Sequence, residues 1–151
     1  QISLFINKDG KRTNIIDTGF GYSQLMPVLL ALYMFDVNKK DSSFPFGHIT
    51  DLLCVEQPEL HLHPSMQYTL GESFVDSTIQ ILKNKLHKKI LLETHSKSII
   101  DAVGTAVAEN RLKANDVAVY IFETNCGIAE IKEASFNEDG YLTNWPLGFL
   151  D

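Results

Sequence analysis

The 151 residues make one domain's worth of chain, enough to bury a real core, and 44% hydrophobic with 21% charged residues is the balance of an ordinary globular protein. A net charge of -6 leaves no basic footprint, so direct nucleic-acid binding by this segment is not expected; the one positive run, Lys83 to Lys89, reads as a solvated helix end whose lysines complement the helix dipole. No apolar run reaches membrane-span length and nothing resembles a signal peptide, while Cys54 and Cys126, without metal-type spacing, read as free thiols in a reducing, cytoplasmic setting.

In chain order, "ISLFI" (Ile2 to Ile6) and "TNIIDT" (Thr13 to Thr18) predict two short strands joined by a turn at Lys8-Asp9-Gly10-Lys11. "GFGYS" (Gly19 to Ser23) reads as a glycine-spaced loop. It leads into a helix over Gln24 to Phe35, apolar on nearly every side and therefore expected to be buried, with Pro27 tolerated in its first turn. Asp36 to Gly47 is a polar connector. "DLLCV" (Asp51 to Val55) predicts a strand buried on both faces. Pro64 then opens a helix with Met66, Leu70, Phe74, Val75, Ile79 and Leu82 as its apolar stripe.

"KILLE" (Lys89 to Glu93) is a second buried strand, followed by a helix with Ile99, Ile100, Val103 and Val107 on one side. "VAVYIF" (Val117 to Phe122) is a third, "GIAEIKEA" (Gly127 to Ala134) alternates as an exposed edge hairpin does, and the tail from Gly140 to Asp151 is rich in aromatic residues. Strand, helix, strand, helix, strand predicts a parallel α/β sheet with right-handed crossovers, within a single domain. Ligands bind such sheets beyond the carboxyl ends of the strands. Glu56 and Glu93 stand at two of those ends.

Three chemistries compete for Glu56, Gln57, Glu59, His61, His63, Glu93 and His95. In the first, the carboxylates cap helices and the histidines are satisfied in loops, although independent caps have no need to end two strands alike. The second is a metal-dependent hydrolase, with His61-x-His63 placing two imidazoles on one side of an extended segment. The third is nucleotide chemistry. An apolar strand ending in an acid, a second polar residue, a proline and a turn has the form of a Walker B strand, whose acid helps hold Mg²⁺. A histidine beyond a neighbouring strand can then hydrogen-bond a terminal phosphate oxygen.

"VEQPELHLHP" (Val55 to Pro64), "ETHS" (Glu93 to Ser96) and the ending "NWPLGFLD" (Asn144 to Asp151) also carry a family likeness. From about Asp17 to Asp151 the chain resembles the ABC-type AAA ATPases related to the nuclease-linked OLD proteins. It is most like a group with E-Q-P-E-L-H-L-H-P and a terminal W-P-x-G-F-F-D. The resemblance implies the C-terminal lobe of a P-loop NTPase head with an edge β-hairpin, binding ATP and Mg²⁺ and working as a head-to-tail homodimer. It implies a metal role for Glu56 at the Walker B position, and places Gln57 where many relatives have the catalytic glutamate. It puts Glu59, His61 and His63 in the D-loop, facing the partner subunit, and makes His95 the switch histidine beside the γ-phosphate. "DTGFGYSQ", notably Gly19, Gly21, Ser23 and Gln24, resembles the signature loop that contacts a phosphate held by the opposite subunit. A nuclease or other effector, and a role in DNA repair or phage defence, follow by family analogy alone.

Two departures stand out. Gln57 can orient water but cannot accept its proton, so fast hydrolysis needs Glu59 or Glu93 to substitute; Leu150 replaces a second Phe in the ending. No G-x-x-x-x-G-K-[ST] occurs, and "DGKRT" lacks the first glycine and the spacing. The expectation is therefore a chain whose phosphate-cradling Walker A portion lies upstream in a longer parent, and which is inactive alone. In such ATPases the strand entering the phosphate loop lies between the switch-histidine strand and the next, so Ile90–Glu93 and Val117–Phe122 are expected not to pair with each other. A non-catalytic assembly module is the reading from a different class.

Overall fold

The computed structural model describes residues 5–8, 10–14, 20–37 and 51–144. Strands β1 (Phe5–Lys8) and β2 (Lys11–Asn14) form an antiparallel hairpin, with Gly10 at a φ of +76° in the turn. The Arg12 guanidinium covers the Phe5 ring at 4.0 Å. The second strand starts two residues earlier than "TNIIDT" predicts, and Ile15 to Gly19 lie outside the described residues.

Helix α1 spans Phe20–Val37, so Phe20 to Ser23 are helical rather than part of a loop. The reason is packing. A Cβ at Gly21 would sit 3.2 Å from both the His61 carbonyl oxygen and a Leu62 methyl. The glycine permits a close approach, where the sequence pattern reads as a flexible turn. Pro27 consequently falls in the helix interior instead of the first turn, and withholds one helical hydrogen bond there. Among the described residues the helix is covered on one side only: Leu32 is buried, while Leu30, Tyr33 and Met34 are about half exposed or more. The polar connector after it lies outside the described residues from 38 to 50.

β3 (Asp51–Glu56), α2 (Pro64–Lys83) and β4 (Lys88–Glu93) make a parallel strand–helix–strand unit, and α3 (Lys97–Ala108) follows. β3 and β4 pair from Asp51–Lys88 through Glu56–Glu93. One face of this pair, carrying Leu53, Val55, Ile90 and Leu92, packs on a core of Leu32, Leu62, Leu70, Phe74 and Ile99 drawn from all three helices and the turn before α2. The other face is uncovered among the described residues: Leu52 is 56% and Leu91 57% exposed, and Cys54 is exposed beside them. The expectation of strands buried on both faces is thus corrected to burial on one, because every described helix touching the pair lies on the same side. Leu82, assigned to the apolar stripe of α2, is also exposed, and Ile81 is buried in its place.

α2 and α3 meet closely at Gly71, where a Cβ would stand 2.7 Å from that of Ala102. Their lower halves enclose a second core of Val75, Ala106, Val107, Leu112 and Phe136. β5 (Val119–Asn125), β6 (Ile128–Phe136) and β7 (Leu142–Thr143) form an antiparallel sheet. Cys126 and Gly127, at φ 49° and +80°, make the tight β5–β6 turn, whose left-handed residues match the strand twist. A β5–β6 hairpin is therefore present, and among the described residues β5 pairs with β6, antiparallel, and with no parallel neighbour. It lies in a separate sheet from β4, so the two do not pair, in agreement with the expectation for them. Tyr120 and Phe122 on β5 and Ile131 on β6 are mostly exposed. The tail beyond Asn144 lies outside the described residues. Among the described residues no helix is long and apolar enough to cross a membrane.

Candidate nucleotide site at the ends of the parallel strands

β3 and β4 end side by side, which brings Glu56 into register with Glu93. Both are exposed, on the face that also carries Leu52, Cys54 and Leu91. Two carboxylates on adjacent strands repel unless a donor or cation lies between them. One donor is Gln57: its Nε2 donates to Glu93 Oε1 at 3.2 Å, and its backbone N–H extends the ladder to the Glu93 carbonyl at 2.8 Å.

Gln57 has a φ of +41° and His61 a φ of +63°, a left-handed backbone that costs non-glycine residues energy and is held here by surrounding structure. Between them the chain makes a tight double turn, with Leu60 N–H donating to the Gln57 carbonyl and Leu62 N–H to the Glu59 carbonyl. Leu62 drops into the core. That turn is the surface on which Gly21 packs, so the start of α1 and the His61–Leu62 segment are joined within one chain. Ser23 and Gln24, one turn further on, are exposed; Gly19 lies outside the described residues.

Glu59 is buried at 6% exposure. Its Oε1 accepts the backbone N–H of His95 at 2.7 Å, and its Oε2 is enclosed without a hydrogen-bond partner among the described residues. A carboxylate so placed fixes the loop after β4, and Glu93, exposed beside Gln57, is the acid open to solvent. His95 itself is exposed just beyond the strand end.

His63 is the N-cap of α2: its Nδ1 accepts the Ser65 N–H at 3.3 Å and meets the Ser65 hydroxyl at 2.9 Å. That leaves Nδ1 engaged in capping, and no group of three or more His, Cys, Asp or Glu side chains arranged to hold a metal ion is found among the described residues. Among the described residues, then, no third ligand converges on His61 and His63 as in a hydrolytic zinc site.

Two residues in this region were not singled out by sequence reasoning. Ser96, buried, caps α3 by accepting the Ile99 N–H at 3.2 Å, and its hydroxyl donates to Gln67 Oε1 at 2.6 Å. Gln67 Nε2 faces the Leu62 carbonyl at 3.0 Å and the Glu59 carbonyl at 3.5 Å. A serine directly before an apolar helix is a recognisable N-cap signal. A lone glutamine on an amphipathic helix carries none.

Endonuclease GajA of Bacillus cereus (strain HuB5-5) is 28% identical over 87 residues, 56% of this chain and 12% of that protein, so the chain spans about an eighth of the relative's length. No solved structure matches. The model of the AAA ATPase domain matches residues 1–100, about two thirds of the chain and all of the strand ends just described, and the chain belongs to that family.

Proposed function

We propose that this chain is the part of an ABC-type P-loop ATPase head that carries the signature loop, Walker B strand and switch histidine, and that it acts as a nucleotide-dependent, head-to-tail homodimer. The observation that carries the reading is the register of β3 and β4. It sets Glu56, Gln57 and Glu93 together at the carboxyl ends of parallel strands, with His95 one residue beyond Thr94. Exposed carboxylate and amide oxygens are hard donors that suit Mg²⁺. Glu56 is the residue to hold that ion, which when bound neutralises phosphate charge.

The protein's own residues then divide the work. Gln57 orients water, and its amide restrains Glu93, the solvent-open acid able to receive a proton. His95 donates to a terminal phosphate oxygen. Gly21, Ser23 and Gln24, with Gly19 before them, present the N-terminal turn of α1 to the phosphate of a second subunit, where backbone amides and the helix dipole favour an anion. His61 and His63 line the neighbouring D-loop. The phosphate-cradling loop is assigned to another segment of the parent protein. Its strand would fit between β4 and β5, which lie in separate sheets and do not pair with each other. The likeness to part of an endonuclease supports a nuclease as effector.

Glu56→Gln in the full-length protein tests the reading. The expected result is Mg-ATP turnover lowered at least a hundredfold with nucleotide binding retained. Turnover at the wild-type rate would remove Glu56 from the site. Stoichiometric zinc lost on replacing His61 and His63 would instead favour the hydrolase.

A further inference from the structure

We propose that Gln67 and Glu59 are positioning residues that lock the turn after β3 to the loop after β4, so that His95 keeps a fixed height relative to Glu56 and Gln57. The proposal rests on the nucleotide site above, and it adds to that site a residue on α2 that touches neither end of the strands.

Two separate ties cross the same gap. In the first, the Glu59 carboxylate receives the backbone N–H of His95 at 2.7 Å, a charge-assisted bond of the stronger kind. In the second, Gln67 spends both ends of its amide. Its Nε2 faces the carbonyls of Leu62 and Glu59, and its Oε1 takes the Ser96 hydroxyl proton at 2.6 Å. The amide's orientation follows from its neighbours, since the two carbonyls accept only from the NH₂ end. Ser96 must then donate to Gln67 and accept from Ile99 N–H, which ties the start of α3 into the same network.

The burial of these groups gives the ties their weight. Glu59 and Ser96 are 6% and 4% exposed, so a lost partner is not replaced by bulk water. Glu59 is moreover an acid with one oxygen enclosed and unmatched. A side chain serving packing alone would be better apolar. A carboxylate retained at that cost holds a particular backbone amide, and that amide belongs to the candidate switch histidine. The Glu59 side chain is thus tied to the His95 backbone, which leaves the His95 imidazole outside the tie.

The test combines kinetics with amide exchange in the full-length protein. Gln67→Leu and Glu59→Leu, which removes the acceptor of the His95 N–H, are each expected to lower kcat for Mg-ATP at least tenfold while KM stays within about threefold. The double variant should be far less impaired than the product of the two single effects, because both act on one loop. An unchanged kcat in either folded variant, or a KM effect alone, overturns the proposal. Independently of activity, the His95 amide of the unsubstituted protein should exchange at least a hundredfold slower than an unstructured amide, and Glu59→Ala should erase that protection. A freely exchanging His95 amide overturns the proposal even if no substituted variant folds. A protein that hydrolyses no nucleotide contradicts the function proposed above, and the exchange rates alone then decide whether the ties exist.

Discussion

The β3–β4 pair and the β5–β6–β7 sheet use similar apolar strands to different ends. Leu53, Val55, Ile90 and Leu92 lie on a core supplied by three helices, and the loops leaving those strands are cross-tied by Glu59, Gln67 and Ser96. The antiparallel sheet meets the helices mainly through its inner residues Val119, Phe136 and Leu142, and leaves Tyr120, Phe122 and Ile131 facing outward. The difference teaches where precision is concentrated. Polar side chains are buried and cross-linked by hydrogen bonds where the strands of the parallel pair end, whereas the outer sheet carries the Lys132–Glu123 ion pair at its surface.

Phenylalanines placed in the two regions should separate them most. Phe74, 4% exposed between α2 and the parallel pair, should cost about 3–5 kcal/mol when replaced by Ala. Phe122, 66% exposed and paired across the hairpin with Ile131, should cost about 0.5 kcal/mol. Denaturant unfolding of both variants checks this. Similar losses would mean that the outer sheet is covered in the folded protein.

The joint between the regions comes next. Gly140, at φ +78°, lies with its backbone against that of Gly104 on α3. Gly140→Val combines left-handed strain with overpacking and should cost on the order of 3 kcal/mol. Its melting profile should also lose cooperativity first in β6 and β7, read by amide exchange.

A smaller effect concerns pH. Hydrogen bonding to Glu123, and then the coulombic attraction of that carboxylate, raise the Lys132 ammonium above its ordinary 10.5. Stability from this pair is therefore fully present below pH 10.5 and is lost as pH rises through the folded-state value. Lys132→Met should remove that alkaline slope and leave the parallel pair unaffected. The ion pair is exposed, so added salt should also flatten the slope.

The parallel unit was legible because its strands are short apolar runs bounded by Pro, acid and polar turns, and Pro64 marks the start of α2 by itself. Coverage was not legible: apolar content at Leu52 and Leu91 reads as burial on both faces, whereas exposure depends on which helices pack where. The start of α1 was hidden by Gly21, whose missing side chain serves a contact with residues 61 and 62 some forty positions away. Of the site, Glu56, Gln57, Glu93 and His95 could be read as strand-end residues. Gln67 could not, since its meaning comes from Ser96, 29 residues on, and from two carbonyls in a turn.

The central claim is that His95 belongs to a nucleotide site built on the ends of β3 and β4. Its most direct test is Mg-ATP turnover by the full-length protein carrying His95→Ala, with circular dichroism and melting temperature measured on the same sample. Turnover reduced at least a hundredfold, with the fold and melting temperature retained, is the predicted result. Turnover equal to that of the unsubstituted protein would contradict the account.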